Sequence, residues 1–421
     1  MRITLFAAGS QGDVLFCLRL VRRLQAEGYT VTFAAPENYA AMAQEAGIPF
    51  FPLRGDVQQI MASETGKAFM QAGSGRPLKS ISLMRKMVSQ IAQQLSEDLL
   101  AASTDAEALI SLAVFASLGA TISELRGIPL VLIEPTPMLP SGDFPAPGWP
   151  LQRNLGRALN RLSGQLMLSF VFAWYRPSLN AFRRRLGLAP LRSREFLHAL
   201  CSHPLMGAYS SAVIPRPRDW PDSAEITGYW LDEENSPFQP PEALVSFLEA
   251  GEPPVYIGFG SMTAKDPARM AKIVLEALAR TGRRAVLATG WGGIGALNSS
   301  ERIFVLQQAP HDWLFPRMSA IVHHGGAGTT AEALRAGKPS VIVPFIVDQL
   351  FWGRRVEALG AGTAPIPAKK LTAKRLAAAI ERAAGDPAMR ERAERIGREL
   401  CAEHGLDRAV EFIQEHWGKP I

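Results

Sequence analysis

Cysteine is scarce in this chain of 421 residues: Cys17, Cys201 and Cys401 are odd in number and far apart. That set makes no disulfide framework and no metal site, and a reducing cytoplasm is the expected home. Long apolar runs are missing too. The run "QLMLSFVFAWY", residues 165–175, is too short for a bilayer, which needs about 20 apolar residues, and no other stretch qualifies. The start, "MRITLFAAGS", reads as a first β-strand and not as a signal peptide. No D-x-D sequence occurs, and no His, Cys or Asp cluster has metal-ligand spacing. A divalent metal is therefore not expected to be obligatory.

Acidic residues are slightly outnumbered, 39 Asp and Glu against 45 Lys and Arg, an excess that matters only where it clusters. It clusters between Leu151 and Arg194, where nine arginines occur without one carboxylate. Two readings of 151–194 stand level: a core helix with a solvated basic face, or a surface lying peripherally against anionic lipid.

What is present describes a globular protein, 47% hydrophobic and 20% charged, and the length points to two domains. In the first half, "RITLFAA", "TVTFAAP", "IPFFPL", "ALISLAV" and "IPLVLIE" read as strands. Helical patterns separate them, the first marked by Val14, Leu18, Val21 and Leu24. This is a doubly wound, mostly parallel α/β pattern. Two insertions interrupt it: polar, glycine-rich residues 62–80, and proline-rich residues 134–150.

The alternation restarts after a proline-rich stretch, through "PVYIGFG", "RAVLATG", "RIFVLQ", "SAIVHH" and "SVIVPF". The expected plan is a Rossmann-like domain over 1–215, a linker over 216–250 and a second Rossmann-like domain over 251–400. A helix in 401–421 is expected to pack back toward the first domain. Two such domains facing each other make a deep cleft, with ligands at the carboxyl ends of the strands.

Three strand-to-helix turns carry the chemistry. "GSQGDV", Gly9 to Val14, has two of the three glycines of a dinucleotide fingerprint, and the second strand ends in Ala34, Ala35 and Pro36 without an acid. An oxidoreductase is therefore disfavoured. Asp13 is either a helix-capping carboxylate or a general base at the cleft floor. In "GFGSM", Ser261 can donate to a phosphate, cap the next helix, or both.

The third turn is "AIVHHGGAGTTAEALRAGKPSVIVPF", residues 320–345. Its free backbone N–H groups and helix dipole suit an anion, usually a phosphate. Asp348 and Gln349 follow the next strand on the same rim, and a carboxylate beside an amide suits vicinal hydroxyls. Without a metal, the cation-like role is expected to fall to the helix start and to side chains such as His324.

"PVYIGFGSM", "APHDWLFPRMSAIVHHGGAGTTAEALRAGKPSVIVPF" and "DQLFWGRRVEALGAG" resemble family 1 glycosyltransferases of the two-Rossmann GT-B architecture, and among them the bacterial and fungal sterol 3β-glucosyltransferases. The resemblance implies that His324 and Thr329, with backbone groups near Gly326 and Gly328, hold a nucleotide diphosphate, with Ser261 on the same phosphates. It implies Glu332 as the ribose-binding acid, which favours UDP over dTDP, and Asp348 and Gln349 as the grip on the sugar. Asp13 matches the base position. Base recognition is expected around Gln308, Ala309 and His311, because the Trp that precedes Pro-Gln in plant members is absent.

The implied activity is an inverting, metal-independent transfer of glucose or a related hexose from a UDP-sugar to a hydroxyl of an apolar acceptor such as a sterol or lipid. The UDP-sugar is a substrate, no cofactor is implied, and no nucleic acid is expected as partner. The expected site is cytoplasmic, with 151–194 as a peripheral contact at the inner face of the membrane. Three rivals remain: a natural-product glycosyltransferase for a polyketide, peptide or rhamnolipid-type acceptor using a UDP- or dTDP-sugar, a sugar-nucleotide epimerase, and a non-catalytic nucleotide-sugar-binding protein.

Overall fold

The structure, a computed structural model, describes residues 1–8, 11–54, 91–231, 238–260, 266–289, 299–346 and 348–419, with the backbone alone at Gln11 and Asp13. The insertion at 62–80 and Ser261 lie outside the described residues. Among the described residues there are two fully parallel sheets.

The first sheet holds β1 Arg2–Phe6, β2 Thr30–Pro36, β3 Phe50–Leu53, β4 Ala108–Leu112, β5 Leu130–Glu134, β6 Leu205–Gly207 and β7 Ala224–Ile226. Their order is β3-β2-β1-β4-β5-β6-β7. Strands β4 and β5 are buried throughout, which is why they read as continuous apolar runs and not as alternating ones. Helix α1, Gln11–Ala26, follows β1 and buries Val14, Leu18, Val21 and Leu24. Helix α2, Ala116–Arg126, ends at Gly127, whose φ of 65° suits the left-handed cap.

One stretch differs from expectation. Residues 224–226 fall inside the proline-rich span read as linker, yet they form edge strand β7. The sheet needs only three residues there, too few for periodicity to register.

The second sheet holds β8 Val255–Gly258, β9 Ala285–Ala288, β10 Ile303–Leu306, β11 Ala320–His323 and β12 Ser340–Ile342, in the order β10-β9-β8-β11-β12. Each sheet therefore has one point where the winding reverses, between β1 and β4 and between β8 and β11. Ligands gather at such points, because the loops on either side diverge and leave a crevice.

Four more helices matter here: α3 Arg157–Arg185, α4 Pro267–Thr281, α5 Ala327–Arg335 and α6 Gln349–Ala358. A last helix, α7 Gly405–Trp417, returns to the first domain. Its Phe412 and Ile413 share a core with Val14 and Leu18 of α1, and Asp407 pairs with Arg23 at 2.7 Å. The two halves also meet directly. The ring of Trp352 on α6 lies 6.5 Å from that of Tyr209, and Phe351 lies 5.7 Å from Phe144.

Candidate nucleotide-sugar site

The second reversal point brings two loops together, since Gly258 of β8 and His323 of β11 are register partners. After β8 the chain turns through Gly260 at φ 59°, and a Cβ there would meet the His324 ring at 3.1 Å. After β11 it turns through Gly325 at φ 91°. A Cβ on Gly325 would meet the Ile342 side chain at 2.6 Å, so both backbone angle and space require glycine. Gly326 then caps α5, with no side chain satisfying the helix start. The first N–H groups of α5 therefore lack intrahelical partners and point where an anion would sit. Gly328 is exposed with open space around it, and Thr329 is half-buried in the same turn.

His324 stands beside this turn, and its Nδ1 is buried without a hydrogen-bond partner among the described residues. Burial lowers its pKa to about 4. This corrects the expectation of a cation-like His324: at neutral pH the ring carries no charge, because desolvation penalises the imidazolium. It can still donate one N–H bond, and the positive potential falls to the helix start. His323 is fully buried, and its Nδ1 accepts from the Gly325 N–H at 3.2 Å.

Next along the sheet, Asp348 sits at the start of α6 but does not cap it with its side chain. Its Oδ2 instead accepts from Thr136 Oγ1 at 3.3 Å, across from the first domain. Gln349 is 4% exposed, and its Oε1 accepts from the N–H groups of Phe345 and Ile346 at 2.7 and 3.2 Å. Its carbonyl therefore shapes the turn that carries Asp348.

Glu332 lies one turn into α5, and its carboxylate is 3.5 Å from Arg19 of α1. Gln308 is exposed and Ala309 half-buried at the end of β10. His311 stacks on Phe315 with centroids 4.2 Å apart. Burial lowers its pKa to about 4, with the nearby Arg19 guanidinium acting in the same direction and Asp312 against it. The described second-domain residues among those expected thus lie along one sheet rim; Ser261 is outside the described residues. Asp13 belongs to the first turn of α1, directly after β1 at the first sheet's reversal point. The helix after Ser261, α4, takes its cap from Asp266, which accepts from the Arg269 N–H at 2.9 Å.

Three residues near the cleft escaped sequence reasoning. Arg19 sits beside the buried stripe of α1, and a lone arginine there reads as solvated. Thr136 lies in the proline-rich insertion, where no periodicity exists to read. Glu134 ends β5 fully buried, receiving bonds from Tyr209 Oη at 2.7 Å and the Met138 N–H at 2.9 Å. Burial pushes its pKa up to about 8. The signal was there: an acid closing a wholly apolar strand.

Known proteins resemble this chain along its length. Residues 3–134 match the glycosyltransferase family 28 N-terminal domain. Residues 293–411 match the erythromycin biosynthesis protein CIII-like C-terminal domain. Sterol 3-beta-glucosyltransferase UGT80B1 of Arabidopsis thaliana is 34% identical over 422 residues, covering 99% of this chain and 68% of that protein. O-mycaminosyltylonolide 6-deoxyallosyltransferase of Streptomyces fradiae is 33% identical over 99% of this chain and 97% of its own. A sterol 3-beta-glucosyltransferase of Candida albicans is 33% identical, and this chain spans 27% of its length. Among solved structures, the kitacinnamycin glycotransferase superposes with a TM-score of 0.75 at 21% identity over 100% of this chain and 99% of that one. The calicheamicin glycosyltransferase CalG4 does so with 0.73 at 19% identity over 99% and 98%.

Proposed function

This chain belongs to the GT-B glycosyltransferases that include sterol 3-beta-glucosyltransferases and macrolide deoxyhexosyltransferases, and we propose that it moves glucose from UDP-glucose, with inversion, to the hydroxyl of a sterol or similar apolar acceptor. The observation that carries the reading is the shared rim. The open start of α5, the His324 ring with its buried Nδ1 and the carboxylate of Asp348 follow the ends of the adjoining strands β11 and β12, where a diphosphate and its sugar can lie side by side.

In this reading Asp13 takes the acceptor's hydroxyl proton as that oxygen bonds to the anomeric carbon and the carbon–oxygen bond to UDP breaks. General base catalysis of this kind is worth ~10²- to 10⁴-fold. The charge left on UDP is met by the N–H groups from Gly326 to Thr329, by His324 and by Ser261, a preorganised electrostatic role. Glu332 takes the ribose, Asp348 and Gln349 the glucose hydroxyls, and Gln308, Ala309 and His311 the base. No divalent metal and no cofactor take part. The stretch 151–194 meets an anionic membrane that holds the acceptor.

The test is UDP release from UDP-glucose in EDTA, with product masses, in the presence and absence of sterols. Sterol-dependent release with a gain of one hexose supports the reading. UDP release that needs a sterol yet vanishes in EDTA overturns the metal-free part, and no transfer to any sterol overturns the acceptor. A second reading, transfer to a natural product, is favoured by the near-complete coverage of the Streptomyces relative. A macrolide aglycone in the same assay decides between them.

A further inference from the structure

Helix α3 has two unlike sides. Leu168, Phe172, Leu179 and Phe182 are buried against the first domain, where Phe172 stacks on Phe196 at 4.5 Å. Arg183 is buried as well, paired with Glu124 at 2.8 Å. So far this is the ordinary core helix.

The other side is not a solvated basic face. Leu159, Leu162, Leu166 and Phe170 are 56, 44, 48 and 50% exposed, and their spacing of three, four and four residues puts them on one line. Phe170 is joined by Trp174, whose ring lies 4.7 Å away. The line runs about 16 Å along the helix. Arg153, Arg157 and Arg161 are exposed near its beginning, and Arg176, Arg184 and Arg185 beyond its end. Arg157 pairs with Asp143 at 2.8 Å, Arg161 stands 3.9 Å from Asp219 and Arg185 stands 3.3 Å from Glu97. None of these acids lies on α3. Arg153 ahead of the apolar line and Arg176 and Arg184 beyond it remain exposed, and apolar side chains with guanidinium groups at either end match a lipid surface, with tails under the leucines and anionic headgroups at the arginines.

The back of this line is tied to the cleft. Asn160 Nδ2 donates to the Gly142 carbonyl at 2.9 Å, and the Ala146 N–H donates to Ser163 Oγ at 2.9 Å. A Cβ on Gly164 would meet Pro140 at 2.8 Å. The loop so held, residues 135–156, is the one that reaches Asp348 through Thr136.

We propose that the Leu159–Leu162–Leu166–Phe170 face of α3 docks on an anionic lipid bilayer and sets the 135–156 loop at the mouth of the cleft against it. The proposal rests on the apolar-acceptor reading above for its purpose, though not for its test. A bilayer-dissolved acceptor then reaches the cleft without crossing water.

The experiment is flotation of the full chain with vesicles of phosphatidylcholine alone or with an equimolar share of phosphatidylglycerol. Binding to the anionic vesicles that weakens as salt rises is expected. The triple variant Leu162→Ser, Leu166→Ser, Phe170→Ser should bind at least about tenfold more weakly, and Arg176→Glu should weaken binding with the apolar line intact. These side chains are exposed, so unchanged thermal unfolding is expected. UDP release with a detergent-dispersed acceptor should also be unchanged, while transfer to acceptor in vesicles falls. A wild-type chain that stays in solution at low salt, or a triple variant that floats equally well, overturns the proposal. So does a wild-type dimer that the triple variant dissolves, which would give the face to a second copy. Flotation needs neither donor nor acceptor, so a chain that floats but glucosylates no sterol supports docking and overturns the acceptor reading alone.

Discussion

Thr136 Oγ1 lies 3.3 Å from Asp348 Oδ2, joining the end of β5 in one domain to the start of α6 in the other. Trp352 Nε1 donates to the same hydroxyl at 3.3 Å, which leaves the threonine proton to point at the carboxylate. Thr136→Val should therefore raise KM for UDP-glucose by about threefold to tenfold, the worth of one hydrogen bond, and Thr136→Ser should restore it. Affinity for UDP, which lacks the sugar, should stay level. Equal losses for UDP and UDP-glucose would show that Thr136 does not act through the Asp348 carboxylate that holds the sugar.

Asp13→Asn keeps the shape of the side chain and removes its basicity. Transfer should fall ~10²- to 10⁴-fold with UDP affinity nearly intact, as read by single-turnover rates and calorimetry. Full activity in this variant would remove Asp13 from the base role.

His324 is neutral at pH 7 because burial disfavours its charged form, and a diphosphate beside it would favour that form. UDP binding should then take up protons, growing tighter as pH falls from 7 toward 5. His324→Asn should weaken binding roughly 10- to 100-fold and lose the part of the pH dependence that the imidazole supplies. Titration calorimetry in buffers of different ionisation enthalpy reads the protons directly.

Glu134 titrates in the opposite sense. The folded chain holds its proton up to about pH 8, while the unfolded chain releases it near the ordinary carboxylate value of about 4.3. Between those values the folded state binds more protons, so stability should decline as pH rises through the window and level off above it. Glu134→Gln still receives from the Met138 N–H and reaches Tyr209, and should flatten this slope. Thermal midpoints of both proteins across that range are the check. Parallel curves would assign the slope to another group.

Glu332 distinguishes nucleotides only if it meets a ribose 2′-hydroxyl. Glu332→Ala should narrow the preference for UDP-glucose over dTDP-glucose by roughly tenfold, since a site built for a hydroxyl rejects its absence most strongly when the partner is present. An unchanged ratio of kcat/KM would leave the pairing with Arg19 as its role.

The alternation of apolar strands with amphipathic helices, and glycines where the backbone must turn sharply, were local properties that the chain states openly. Gly325, Gly326 and Asp348 could be placed on one rim for that reason, since strand ends in a parallel sheet all face the same way. Tertiary structure alone decided the charge state of His324, the bond from Thr136 to Asp348, the pairing of Arg19 with Glu332 and the inclusion of β7 in the first sheet. Each depends on burial or on a partner more than a hundred residues away, or on a strand too short to show a period. For α3, composition left a core helix and a lipid-facing one equally open. Which leucines are covered is set by the domain the helix packs on, and its two sides turned out to differ.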